Sequence, residues 1–283
     1  MSAAGSVTGR GAATRRAAVA LVVAPLLLLV GCGGSDEGAG ASTTSAEPTT
    51  AAARAVTGAI TVSAAASLTD VFTAIGDAFT LANPDAEVAF NFGSSGQLAT
   101  QIVEGAPADV AAFADTLPME ALDAASLLAA PAEVFATNRL VLVTPPGNPA
   151  GITTLADLGS ADAGTVSLCV ATAPCGKFAG QLLASAAVTI DESRVTRGQD
   201  VRATLAAVTQ GDADAAIVYV TDATAAGDAV DVVALPEAYE VVAFCAIAAV
   251  AAAGSPEVAE AFVAFVLGPT GRQLLDEAGF GAP

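Results

Sequence analysis

Ala59-Ile60-Thr61-Val62-Ser63-Ala64-Ala65-Ala66, then Ser67, then Leu68, Val71, Phe72, Ile75 and Phe79, is the stretch that decides the fold. The first eight residues are an apolar run of strand length. The apolar residues after them recur at i, i+3, i+4 and i+7, one stripe of a helix that Asn83-Pro84 ends. Ser67 stands at the turn between the two. The unit then repeats: residues 86–92 read as a strand, Gly93-Ser94-Ser95-Gly96 as a turn, 97–104 as a helix with Leu98, Ile102 and Val103 inward, and 109–114 as a third strand. Leu140-Val141-Leu142-Val143, Val166-Ser167-Leu168-Cys169-Val170 and Ala215-Ala216-Ile217-Val218-Tyr219 form a second set of strands, with helices over 176–184 and 201–210. Such alternation indicates an α/β protein with a largely parallel sheet. Two sets suggest two lobes, 57–137 with 242–283 and 138–241, because the final stretch through a helix at 256–267 is long enough to return to the first. A single larger doubly wound domain is the alternative.

Composition narrows the function. Of 283 residues 54% are hydrophobic and 14% charged, which is too apolar for a disordered chain. With 29 acidic against 10 basic residues the formal charge is -19, so no nucleic-acid partner is expected: affinity for phosphate backbones needs basic surface. The chain has no histidine, which removes Ser-His and Cys-His nucleophile pairs and imidazole zinc sites. It carries no P-loop, dinucleotide fingerprint or spaced carboxylate pair either, so neither an enzyme nor a cofactor is expected.

Arg10, Arg15 and Arg16 precede an apolar run over 17–31 that ends Leu29-Val30-Gly31-Cys32, the order of an export signal and too short for a membrane span. The run into Cys32 resembles the bacterial lipobox, which implies a signal peptide of residues 1–31 and a lipid anchor on Cys32; a plain cleaved signal is the alternative. Residues 32–56 are rich in Gly, Ser, Thr and Ala and read as a flexible tether. The mature chain would keep 7 basic and 29 acidic residues, a formal charge of -22. An anionic ligand would then be held by local dipoles and hydrogen bonds, without help from steering.

An exported location permits a disulfide, and Cys169 with Cys175 is the favoured pair, free buried thiols being the alternative. Cys245 lies in an apolar run and reads as core. Four helix starts are candidates for oxyanion contact: Ser67 before Leu68, Ser95 before Gly96, Cys175-Gly176 after Pro174, and Asp200-Val201. The free N–H groups and positive end of a helix's first turn bind anions without a cation, although each residue is also an ordinary helix-start residue. Tyr219 closes an apolar strand. Lys177, beside one of these turns, reads as a solvated surface lysine, or alternatively as an anion's counter-charge.

Ala64-Ala65-Ala66-Ser67-Leu68, Phe92-Gly93-Ser94-Ser95-Gly96-Gln97-Leu98-Ala99 and Gly105-Ala106-Pro107-Ala108-Asp109-Val110 together resemble the molybdate-binding protein (ModA) family of ABC-type importers. The resemblance covers residues 58–281 and continues through Asn138-Arg139-Leu140, Pro174-Cys175-Gly176, Asp200-Val201-Arg202 and Ile217-Val218-Tyr219-Val220-Thr221-Asp222-Ala223. It implies a type II periplasmic-binding-protein fold, two α/β lobes joined by a two-crossover hinge with the ligand in the cleft. Carried over by position, Ser67 and Ser95 supply hydroxyl and backbone donors, Cys175 and Val201 backbone N–H groups, and Tyr219 a phenolic hydroxyl. Molybdenum would be bound only as the molybdate oxyanion, with tungstate as a further ligand, by a lipid-anchored monomer on the extracytoplasmic face that serves an ABC permease. Another tetrahedral oxyanion, sulfate or phosphate, or a non-transport sensor role, is the alternative. The chain departs from the family at Gly96, where serine or threonine is frequent, and at Phe244-Cys245-Ala246-Ile247, where Tyr-Pro-Ile is frequent.

Overall fold

The structure, a computed structural model, describes residues 56–283. The signal segment 1–31, Cys32 and nearly all of the 32–56 tether lie outside the described residues. The chain runs β1 (Gly58–Ala65), a 3-10 turn (Ala66–Leu68), α1 (Thr69–Ala82), β2 (Ala86–Gly93), α2 (Ser95–Val103), β3 (Val110–Phe113) and α3 (Thr116–Ala124). It continues with β4 (Glu133–Thr144), β5 (Val166–Cys169), α4 (Pro174–Ser185), β6 (Val195–Gly198), α5 (Val201–Thr209), β7 (Ala215–Tyr219), α6 (Val220–Ala226) and β8 (Asp231–Val233). The last elements are β9 (Val242–Ala249), α7 (Pro256–Leu267) and α8 (Pro269–Glu277).

The strands form one sheet in the order β2-β1-β3-β9-β4-β7-β5-β6, with β8 also on β4. β1, β2 and β3 are mutually parallel, as are β5, β6 and β7. Between the two sets lie the antiparallel strands β9 and β4. From Glu133 to Arg139, β4 pairs with β9; from Leu140 to Thr144 it pairs with β7 and β8. The chain therefore enters the second half along β4 and returns along β9, as a type II periplasmic-binding fold requires.

Every residue of β3, β5 and β7 is buried, as expected of parallel strands covered on both faces. The return of the C-terminus is fixed by aromatic packing: Phe262 of α7 meets Phe79 of α1 at 5.3 Å between ring centroids and Phe72 at 6.2 Å. Edge-to-face pairs of this kind add about 0.5–1.5 kcal/mol each beyond the area they bury.

Three boundaries differ from the sequence reading, and two of them matter for the site. Helix α2 begins at Ser95, not at 97, because Gly96 adopts the helical conformation; Ser94 becomes the N-cap residue without using its side chain as the cap. Helix α4 begins at Pro174, whose missing N–H costs nothing at the first helical position. Strand β4 begins seven residues ahead of Leu140, over Glu133-Val134-Phe135-Ala136-Thr137-Asn138-Arg139, a stretch with no continuous apolar run.

Candidate functional site

The ends of β1, β2 and β7 and the first turns of α2, α4 and α5 converge on one cavity. Ser67 and Ser95 reach it from the first half; Cys175, Val201 and Tyr219 reach it from the second. Its empty space is at most about 210 Å³, open solvent included, which is below the ~300–1,000 Å³ of pockets for organic ligands. Among the described residues no lysine or arginine lines it.

What the cavity offers is hydrogen-bond donors. Ser67 Oγ and Tyr219 Oη are buried and have no hydrogen-bond partner in the protein. Ser95 Oγ accepts the Ala114 N–H at 3.2 Å, which leaves its own proton free to donate. The first turns of α2, α4 and α5 add backbone N–H groups, those of Cys175 and Val201 among them, and the positive end of each helix. Cys175 is fixed in its turn by a disulfide to Cys169, with 5.8 Å between the Cα atoms. Asp200, the one acid on the cavity wall, accepts the Ala203 N–H at 2.9 Å and so caps α5. Burial first, then the nearby Cys245, Asp222 and Asp115, push the Tyr219 hydroxyl well above its usual range, so it stays protonated and can donate. A buried group of hydroxyl and backbone donors, with no lysine or arginine among them, is suited to a small anion.

Two features were not read from the sequence. Ser94 also lines the cavity, with a buried and unpartnered hydroxyl; the Ser94-Ser95 doublet was its only signal. Lys177 is not the solvated surface lysine expected. Its Nζ lies 2.5 Å from Asp115 Oδ2 and 4.8 Å from the centroid of the Phe178 ring. The physical reason is Asp115, a buried carboxylate that caps α3 and, once taken out of water, needs a cation. Lys177 does not line the cavity. Among the described residues there is no cluster of potential metal ligands, and no helix is long and apolar enough to cross a membrane.

The geometry agrees with what the chain is similar to. The family model described as "Bacterial extracellular solute-binding protein" matches residues 60–281. The molybdate-binding protein ModA of Mycobacterium tuberculosis (strain H37Rv) is 41% identical over 224 residues, 79% of this chain and 85% of that protein. Among solved structures, the periplasmic molybdate-binding protein of Azotobacter vinelandii superposes with a TM-score of 0.68 at 22% identity, covering 79% of this chain and 99% of that one. The sulfate-binding protein SubI of Mycobacterium tuberculosis gives a TM-score of 0.71 at 21% identity, covering 78% and 86%. These relatives are binding proteins and not enzymes, and at that identity the two structures speak for the fold. With its donors on helix starts of both halves and its length matched from residue 60 to 281, the chain belongs to the bacterial extracellular solute-binding proteins and, within them, to the ModA family.

Proposed function

We propose that the protein captures molybdate, and tungstate with it, at the extracytoplasmic face and delivers it to an ABC permease. The observation that carries this is the meeting of Ser67, Ser95, Cys175, Val201 and Tyr219, from five separate turns or strand ends, in one small cavity without a cation. Relatives named for molybdate support the choice of ligand. Ser94 joins the set as a further hydroxyl donor. The two lobes are 57–137 with 242–283, and 138–241, with the hinge where β4 changes partners. The anchor is a lipid on Cys32 that leaves 32–56 as the tether, and the protein acts as a monomer.

Calorimetric titration of the soluble domain with molybdate, tungstate, sulfate and phosphate tests this directly. Heat with the first two and silence with the others is expected. Tighter binding of sulfate than of molybdate would reassign the ligand while keeping the site.

A further inference from the structure

Three side-chain contacts join the two halves beside the donor turns. Lys177, two residues past Cys175, pairs with Asp115, which follows Ala114, the residue whose N–H holds Ser95 Oγ. Arg202, next to Val201, pairs through its guanidinium with Asp70, three residues past Ser67. Gln97 Nε2 of α2 donates to Gln199 Oε1, just before α5, at 3.1 Å. The backbones themselves come so close that a Cβ on Gly96 would lie 2.7 Å from the Thr172 carbonyl oxygen. Lys177 and Arg202 thus lie within two residues of a donor turn of the second half and Asp70 within three of Ser67, while Asp115 reaches the Ser95 turn through the Ala114 hydrogen bond.

We propose that Asp115–Lys177 and Asp70–Arg202 are positioning pairs. They hold the two sets of donors in register and set how long a captured anion stays, without touching it. This rests on the anion-binding reading above. The pairs differ in strength. Asp115 and Lys177 have side chains 8% and 33% exposed, whereas Asp70 and Arg202 are 60% and 37% exposed and more open to screening by salt. Breaking the first pair strands a charge in a dry place. Removing Arg202 strands Asp70 in water, and removing Asp70 leaves a guanidinium that is only partly exposed.

Two double-mutant cycles, read as the dissociation rate of radiolabelled molybdate under an unlabelled chase, test the assignment. Lys177→Met and Asp115→Asn are each expected to speed release by about tenfold at low salt, and the double variant no further, because the pair is already gone. Asp70→Asn and Arg202→Gln should each speed it about two- to fivefold, again without adding. Lys177→Arg should restore slow release. Salt should accelerate release from the wild type and leave the double variants nearly unaffected, a response that a merely structural role would not produce. If Asp115→Asn fails to fold, Lys177→Met and the exposed pair still carry the test. In buffer free of oxyanions, small-angle scattering should give the double variants a larger radius of gyration than the wild type. Additive rate effects with an unchanged salt response would overturn the proposal. A wild type that ignores molybdate would overturn the proposed ligand instead, and the scattering comparison would then decide the pairs alone, equal radii counting against them.

Discussion

Removing one hydroxyl from Tyr219 separates an anion site from a structural tyrosine, because the two roles place the cost in different states of the protein. Tyr219 is 1% exposed, and its Oη has no hydrogen-bond partner in the protein. Tyr219→Phe therefore breaks no internal hydrogen bond, and the ligand-free protein should be as stable as the wild type or slightly more so, since an unpaired buried hydroxyl is removed. The anion complex is different. A hydrogen bond to a charged acceptor contributes about 1.5–3 kcal/mol, so losing the hydroxyl should weaken molybdate binding by roughly 10- to 150-fold. Ser67→Ala follows the same logic, as its Oγ is likewise unpartnered. Ser95→Ala should show both costs, because it also takes away the acceptor of the Ala114 N–H. Thermal unfolding without anion, set beside calorimetry with it, measures both quantities on the same samples. If Tyr219→Phe lowered the ligand-free midpoint and left the affinity within twofold, the hydroxyl would be structural and the donor mechanism wrong.

Other consequences can be checked one at a time. Ser94→Ala should weaken molybdate binding by about tenfold with little change in ligand-free stability, read by the same pair of assays. Mass spectrometry of the mature protein should find diacylglycerol on Cys32; an unmodified N-terminus at another residue would remove the anchor from the account. Replacing Cys169 and Cys175 together by serine should cost about 2 kcal/mol in denaturant unfolding, the chain-entropy value for so short a loop, and no loss would mean the loop is held by packing alone. Burial pushes the Asp222 carboxyl up to about 7, opposed mainly by Arg202. The folded protein thus keeps a proton that the unfolded chain releases near pH ~4, so this group's contribution to stability falls as pH rises from there to about 7, by on the order of 4 kcal/mol. Asp222→Asn should flatten that decline and raise the midpoint at pH 8.

How much of this was legible depended on how local the signal was. The β1–α1 unit and the strands β5 and β7 could be read because each carries its own apolar run or stripe. Strand β6, Val195-Thr196-Arg197-Gly198, is a four-residue edge strand with a polar pattern, and α6 follows Tyr219 at once with no stripe of its own, so neither announces itself. The turns that bear Ser67, Ser95, Cys175 and Val201 were legible as helix starts, and the resemblance supplied the reason to group them. Asp115–Lys177 and Asp70–Arg202 were not legible. Their partners are 62 and 132 residues apart, and only the folded sheet brings them together. Nothing near Lys177 in sequence shows that Asp115 is buried beside it, which is why the sequence alone points to a solvated lysine.

The distribution of charge sets opposite effects of salt on how fast an anion arrives and how long it is held. Every basic side chain among the described residues is engaged. Arg139, Lys177, Arg197 and Arg202 pair with Glu240, Asp115, Glu192 and Asp70. Arg194 donates to the carbonyls of Gly164 and Leu158, and Arg272 to that of Leu267. Among the described residues none is left to draw an anion in, while the whole sequence carries a formal charge of -19. A dianion therefore approaches against a repulsive field, and salt, by screening it, should speed association. Salt also screens the two pairs that hold the donor turns together, so it should speed release as well. The two effects oppose each other in the affinity, which should change by less than about threefold between low and high salt although both rates rise. Measuring affinity alone would miss this; association and chase experiments at two ionic strengths expose it. An association rate that falls with salt would mean that a cation steers the ligand after all, and the neutral-donor account would have to give way to one in which Lys177 or Arg202 leaves its acid partner to meet the anion.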